Sequence, residues 1–406
     1  MDATAVSAQL AGARGLDARD FGRICDEVSA VLVNAGTAPP FEIHSADFDT
    51  DPFFVCADRY WRQRFQSHPS VRTAVECARW ITGHVVNECR AAVVEQWSLG
   101  YAFINRGSIE STVQLTDVAQ EIAGLGEGSS DVAFFVTLYH AGKLRAGHCF
   151  DELHSFLQSS AVAMAAGPHR QDSLFVALQS LAAFGSRALT IEHATDLFNQ
   201  AWSSTRRTRR VVDICLHGLA FAVPFDAQAE MLRMHAEEAV AAYPRDHTFH
   251  FRLATGLYMC GMHDAALRSV DTALVLLTES GSFSHNVMQQ QYLAKREAIQ
   301  EGRLRAQRDA EYLRRWEQQD AANSKLEQTM QMSSIRAVEL VAVFTAAIAF
   351  AVGSLQVTLN GTMSLRDRLW LLAAQGAGLA VFALLIVGGT WFITRTRHHS
   401  SPPENR

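Results

Sequence analysis

Two long apolar stretches near the C-terminus constrain this chain more than any other feature. Leu340 to Leu359 is interrupted only by Thr345, Ser354, Gln356 and Thr358, and Leu369 to Ile393 carries no charge at all. A helix needs ~20 mostly apolar residues to cross a hydrocarbon layer of ~30 Å, and both runs meet that length. Trp370 and Trp391 stand near the two ends of the second run. Their spacing corresponds to roughly 31 Å of helix, which suits a pair of interfacial aromatic anchors. Two buried core helices are the alternative, but adjacent uncharged runs this long seldom fit one soluble core. The spacing therefore predicts two transmembrane helices over 335–395, joined by the polar turn Asn360-Gly361-Thr362-Met363-Ser364.

Basic residues near the ends set the expected orientation. Lys325, Arg336, Arg395 and Arg397 flank the pair, while Arg366 and Arg368 lie between the runs. That bias places both termini, and the tail 396–406, on the cytoplasmic side. Met1 to Leu16 has no basic stretch followed by an apolar core, so no secretory signal is expected there. Ala349 with Gly353, and Ala374 with Gly378, are small residues at four-residue spacing. They let helix backbones approach closely, either within the hairpin or between protomers. Gln356 and Gln375 are polar where the solvent is lipid, which makes them candidates for helix–helix contacts or pore lining.

The remaining sequence predicts a helical body. Its formal net charge of −6, from 36 basic and 42 acidic residues, gives no basic signature for nucleic acid, and none is expected as a partner. Seven cysteines, with no Cys-x-x-Cys pair, provide neither a disulfide framework nor a zinc site and suit a reducing compartment.

Residues 173–278 are periodic. Leu219-Ala220-x-x-Val223, then Leu232-x-x-x-Ala236-x-x-Ala239 and Pro244, form one unit. Leu253-Ala254-x-x-Leu257, then Ala266-x-x-x-Val270-x-x-Ala273, form the next, 34 residues on. An earlier unit contains Leu178, Leu181-Ala182, Ala194, Phe198 and Ala201, and reaches the next after a four-residue insertion between Ala201 and Leu216. Small residues sit where paired helices touch and larger ones fill the gap, while Pro244 ends a helix. This pattern resembles the tetratricopeptide family, although Leu178, Leu216 and His250 stand where that family usually has Trp. The resemblance covers about a quarter of the chain. It implies an α-solenoid over 166–285 that binds a protein or peptide in a concave groove.

The interval that holds the insertion contains Arg206-Arg207-Thr208-Arg209-Arg210. The run is thereby predicted in a turn between units, where Arg206, Arg207, Arg209 and Arg210 form a candidate loop for an acidic partner, a nucleotide signal or anionic lipid. A solvated loop is the plainer reading. Residues 286–334 contain no proline and only Gly302, with near-balanced charge, and predict a helical stalk. Tyr292, Ile299, Ala306 and Leu313 recur every seven residues, so this stalk is a solvated connector or a self-association surface. Its first turns are expected to cap the repeats.

Residues 1–165 predict a helical N-terminal domain. Ser70 to Trp97 is a long amphipathic pattern, Phe134 to Leu157 a helical pair broken at Gly142 or Gly147, and Gly36 to Pro52 a loop. Asp47-Phe48-Asp49-Thr50-Asp51 has calcium-loop spacing, but Pro52 replaces the required glycine and no Glu follows at the twelfth position. His140, His148, Cys149 and His154 match no metal-site spacing, and Gly124 to Gly128 lacks the flanking strand of a dinucleotide loop. No nucleophile elbow, HExxH or phosphate-binding loop occurs. No catalytic residue, cofactor or metal is therefore assigned.

Three functions follow, in order. The first is a membrane-anchored interaction protein relaying a cytoplasmic partner or signal to the hairpin. The second rests on architecture, which looks like the two-span membrane-disrupting effectors of bacterial antiphage systems and implies a bacterial inner membrane. The third is a divergent enzyme in 1–165.

Overall fold

The computed structural model describes residues 3–47, 49–279, 285–359 and 364–397. Among these the fold is all-α, with a single isolated bridge, Ile43 to Val85, in place of any sheet. The turn residues 360–363 and the tail from 398 lie outside the described residues, as does Phe48. The chain divides into two compact units, Met1–Arg303 and Leu304–Arg406.

The first unit opens with α1 (Ala3–Ala11), α2 (Ala18–Asn34), α3 (Pro52–Ser67), α4 (Val71–His84), α5 (Asn87–Ile104) and α6 (Thr112–Ala123). Asp47 accepts from the backbone of Asp49 and Thr50, while Asp51 caps α3 through the Phe53 amide. These carboxylates are turn and cap residues. The long amphipathic pattern from Ser70 is two helices rather than one. Val85 and Val86 are extended, and Ile43 exchanges hydrogen bonds with His84 (2.7 Å) and Val86 (3.1 Å) across the break. Two adjacent β-branched residues favour that extended step.

Next come α7 (Ser129–Ala146), α8 (Phe150–Ser159), α9 (Ala161–Ala165) and a 3-10 turn at Gly167–Gln171. α7 is buried on nearly every side. Its Gly142 meets Ala102 and Leu99 of α5 so closely that a Cβ would sit 2.7 Å from Ala102 Cβ. The pair expected over 134–157 breaks at Gly147, the second of the two candidate glycines.

Then follow α10 (Ser173–Gly185), α11 (Ile191–Trp202), α12 (Arg209–Phe221), α13 (Gln228–Ala242), α14 (His247–Met259) and α15 (His263–Glu279). Every matched repeat residue falls on these helices except Val223 and Pro244. Ala194, Ala201, Ala236, Ala239, Ala254, Ala266 and Ala273 are buried at the helix crossings. Ser180 donates to the Ala194 carbonyl at 3.2 Å and Ser269 to that of His250 at 3.0 Å, so small residues mark the crossings. Val223, expected to fill a gap, is instead 39% exposed, because α12 stops at Phe221.

One continuous core runs from Val6 to Phe249, joining the N-terminal helices to α10–α14. A smaller core contains Ala254, Val270 and Leu277 and is closed by Tyr292 and Ile299 of α16 (His285–Leu359). The expected stalk and first apolar run are thus a single helix. With neither proline nor glycine between Gly302 and Gly353, nothing interrupts it.

In the second unit, α17 (Leu365–Arg397) lies against the C-terminal part of α16, where a Cβ at Gly353 would collide with the Gln375 carboxamide. Among the described residues one helix, Asn286–Gln356, is long and apolar enough to cross a membrane, with a most apolar window of mean hydropathy 2.1 that is wholly unburied.

Candidate functional site

The first unit concentrates charge at two buried places. The first is Glu110, His140 and Lys143. Lys143 donates to Glu110 at 2.5 Å and to the Ser108 carbonyl at 2.6 Å, and His140 Nδ1 lies 2.8 Å from the other Glu110 oxygen. Lys143 also sits 4.4 Å over the Tyr139 ring. Burial alone would raise the Glu110 carboxyl, but His140 and Lys143 hold it below its ordinary value. Burial meanwhile lowers the Lys143 ammonium. Both values fall, for opposite reasons: the carboxylate gains more from its partners than it loses to desolvation, whereas for the ammonium desolvation outweighs Glu110. The cluster fixes the 105–111 loop onto α7 and is fully satisfied by its own members.

The second cluster is not. Arg145, in the last turn of α7, donates to Asp213 of α12 at 2.7 Å and to His217 Nδ1 at 3.3 Å. Arg252 of α14 approaches the other Asp213 oxygen at 3.6 Å, and its Nε is buried without a hydrogen-bond partner. Arg210, one turn before Asp213, donates to Gln96 of α5 at 2.8 Å. Lys295 of α16 lies 5.9 Å from the Tyr258 ring centroid, and Tyr292 stacks on Phe251 at 4.3 Å. At the rim His148 stacks on Phe221 at 4.8 Å, held in a left-handed backbone conformation (φ 55°).

The electrostatics of this cluster show a surplus of cations. Burial would raise the Asp213 carboxyl, but Arg145 and Arg252 hold it far below the usual carboxylate range. Burial pushes Arg252 down, Asp213 opposes this, and Arg145 pushes it further down. Arg210 is lowered by burial and by Arg209, and Lys295 by burial and Arg252. His217 lies well below its ordinary value through burial, then Arg252 and Arg145, and is neutral at pH 7. Like charges here depress one another in a buried place, and an anion within reach would relieve them. A carboxylate or phosphate here would meet charge-assisted donors.

The four arginines expected on one loop are divided. Thr208 caps α12 by accepting from the Val211 amide, so Arg209 and Arg210 are helical and only Arg206 and Arg207 occupy the turn. Arg207 lies 4.6 Å from the Trp202 ring centroid and donates to Glu238 at 2.7 Å. Arg209 pairs with Asp246 beside a shallow depression lined by Tyr243, Pro244, Arg245 and His247. Arg206 is exposed, and its carbonyl accepts from Ser173 at 3.1 Å. Arg210 alone joins the cation cluster. Arg145, Asp213, His217 and Arg252 carry no sequence signal of their own, because their partners lie on other helices.

Of the residues singled out in the apolar runs, Gly353 and Gln375 meet, and the Gln375 carboxamide oxygen is buried without a hydrogen-bond partner. Ala349 and Gly378 line a groove with Ala342, Ala346, Leu379 and Phe382. Gln356 and Ala374 are exposed. Among the described residues no group of three His, Cys, Asp or Glu side chains could hold a metal.

No family model matches this chain, and neither a curated protein nor a solved structure matches it either.

Proposed function

We propose that the protein is a membrane-anchored interaction protein that acts by binding rather than catalysis. In this reading α10–α15 form a tetratricopeptide-like array whose inner face takes an acidic segment of a cytoplasmic protein. The apolar part of α16 and α17 form a two-span hairpin in a bacterial inner membrane, with both termini cytoplasmic. The array's engagement is relayed along α16. The observation that carries the ligand class is the cluster of Arg145, Arg210 and Arg252, with Lys295 beside Arg252, which outnumbers the carboxylates Asp213 and Glu95 that face it.

The test uses a Glu-rich peptide and a Lys-rich peptide of equal length, with the full chain in detergent. The Glu-rich peptide is expected to bind, and more weakly as salt rises. Lys295→Gln, which removes a cation without orphaning an acid, is expected to weaken binding roughly threefold. Equal affinity for both peptides, or none for either, refutes the reading.

A second reading, a membrane-disrupting effector of an antiphage system, is favoured by one observation. The open groove between Ala342, Thr345 and Phe382 could receive another hairpin. It predicts loss of membrane potential when the protein is triggered in cells, and an unchanged potential under phage challenge counts against it.

A further inference from the structure

The heptad Tyr292, Ile299, Ala306, Leu313 does not survive as one seam, because Tyr292 and Ile299 are consumed closing the small core. Another seam does. Tyr312, Trp316, Leu326, Met330, Leu340 and Phe344 are each more than half exposed along α16. Gln319, Asn323, Ser333 and Ala337 fill the intervening places, so the steps alternate between four and three residues. Such a 3.5-residue stripe drifts around a straight helix and demands a left-handed supercoil with a partner. The face α16 turns toward α17, through Ala342, Ala346, Ala349 and Gly353, lies on the opposite side of the helix. Among the described residues of the second unit, nothing covers the seam.

We propose that this seam packs against the same seam of a second copy of the chain, as a parallel, in-register coiled coil. Three features select a copy of the chain over another helix. Asn323 falls at a core position, where a lone asparagine specifies register and strand number. Arg315 and Asp320 occupy the two flanking positions that face each other across a parallel in-register pair, so each dimer gains two opposite-charge contacts. In the single copy, among the described residues, Arg315 pairs with its own Glu311, at 2.6 Å on an exposed surface. Chains anchored in one membrane also present their stalks in the same direction, and this third argument alone rests on the membrane reading.

Disulfide cross-linking of the full chain in membranes tests it. Cys89, Cys149 and Cys260 are replaced by Ser, leaving the buried Cys25, Cys56, Cys77 and Cys215. Single cysteines are then placed on the seam (Trp316→Cys, Asn323→Cys, Leu326→Cys, Met330→Cys) or opposite it (Arg314→Cys, Ala321→Cys, Gln328→Cys). All seven positions are exposed, so folding is not at stake. Oxidation is expected to give a species of twice the chain mass from the seam positions, at least roughly fivefold above the opposite face. Arg315→Glu is expected to reduce it several-fold, and adding Asp320→Arg to restore it. Monomer throughout, equal cross-linking on both faces, or cross-linking at one seam position only, as antiparallel helices would give, overturns the proposal. Sedimentation of the same sample separates the two claims. A monomer that sediments with membranes defeats the coiled coil, whereas a dispersed protein defeats the membrane reading.

Discussion

Gly256 shows how one side chain, or its absence, sets the spacing of a helix pair. A Cβ there would lie 2.7 Å from the Arg233 amide nitrogen and 2.9 Å from its Cα, so α13 and α14 touch backbone to backbone. Backbone cannot swing aside as a side-chain end can. Gly256→Ala is therefore expected to cost about 1–3 kcal/mol of stability, measured by denaturant unfolding of the full chain in detergent, despite alanine's better helix propensity. A stability gain would show that the two helices do not touch in this way. His217 gives a pH signature. Its folded value is depressed, so below its ordinary value of 6.5 the unfolded chain binds the extra proton and the folded one does not. Stability should thus fall as pH drops from 7 towards 5. His217→Gln, which keeps an acceptor for Arg145, should flatten that part of the slope. His235 is lowered in the same sense, also by burial, so some slope should remain.

At the scale of elements, much was legible because helices announce themselves locally. The 34-residue spacing of Leu219, Leu253, Ala220 and Ala254 placed α12 and α14, and of the two glycines offered for the break, Gly142 and Gly147, the second ends α7. Thr208, a residue type that favours the N-cap, went unread inside the arginine run and is the signal that puts Arg209 and Arg210 on a helix. The cation cluster was not legible. Arg145 and Asp213 are 68 positions apart, and no periodicity on α7 says which residues of α12 it will meet. The break at Val85 was hidden for a similar reason, since Ile43 supplies the pairing from another segment. α16 makes the clearest element-scale prediction. Ala321→Pro should cost about 3 kcal/mol of local helix and lower the helical circular dichroism signal. Binding of the acidic peptide by the first unit should be unchanged. If binding falls as well, the exposed part of α16 contributes to the groove.

For the whole molecule, the first unit buries its apolar side chains in two cores, while the second has its apolar side chains outward. Val338, Phe344, Ile348, Leu355, Leu369 and Leu384 are all more than 60% exposed. Water is a poor solvent for that surface, and at ~25 cal/mol per Å² its exposure would carry a large free-energy penalty. In the proposed bilayer setting that penalty is removed, and α16 and α17 are continuous helices whose backbone groups pair within each segment. The most direct measurement is extraction of membranes from cells making the full chain. Alkaline carbonate is expected to leave the protein in the pellet, and detergent to release it, while a chain ending at Lys325 appears in the soluble fraction. Full-length protein in the carbonate supernatant would contradict the account.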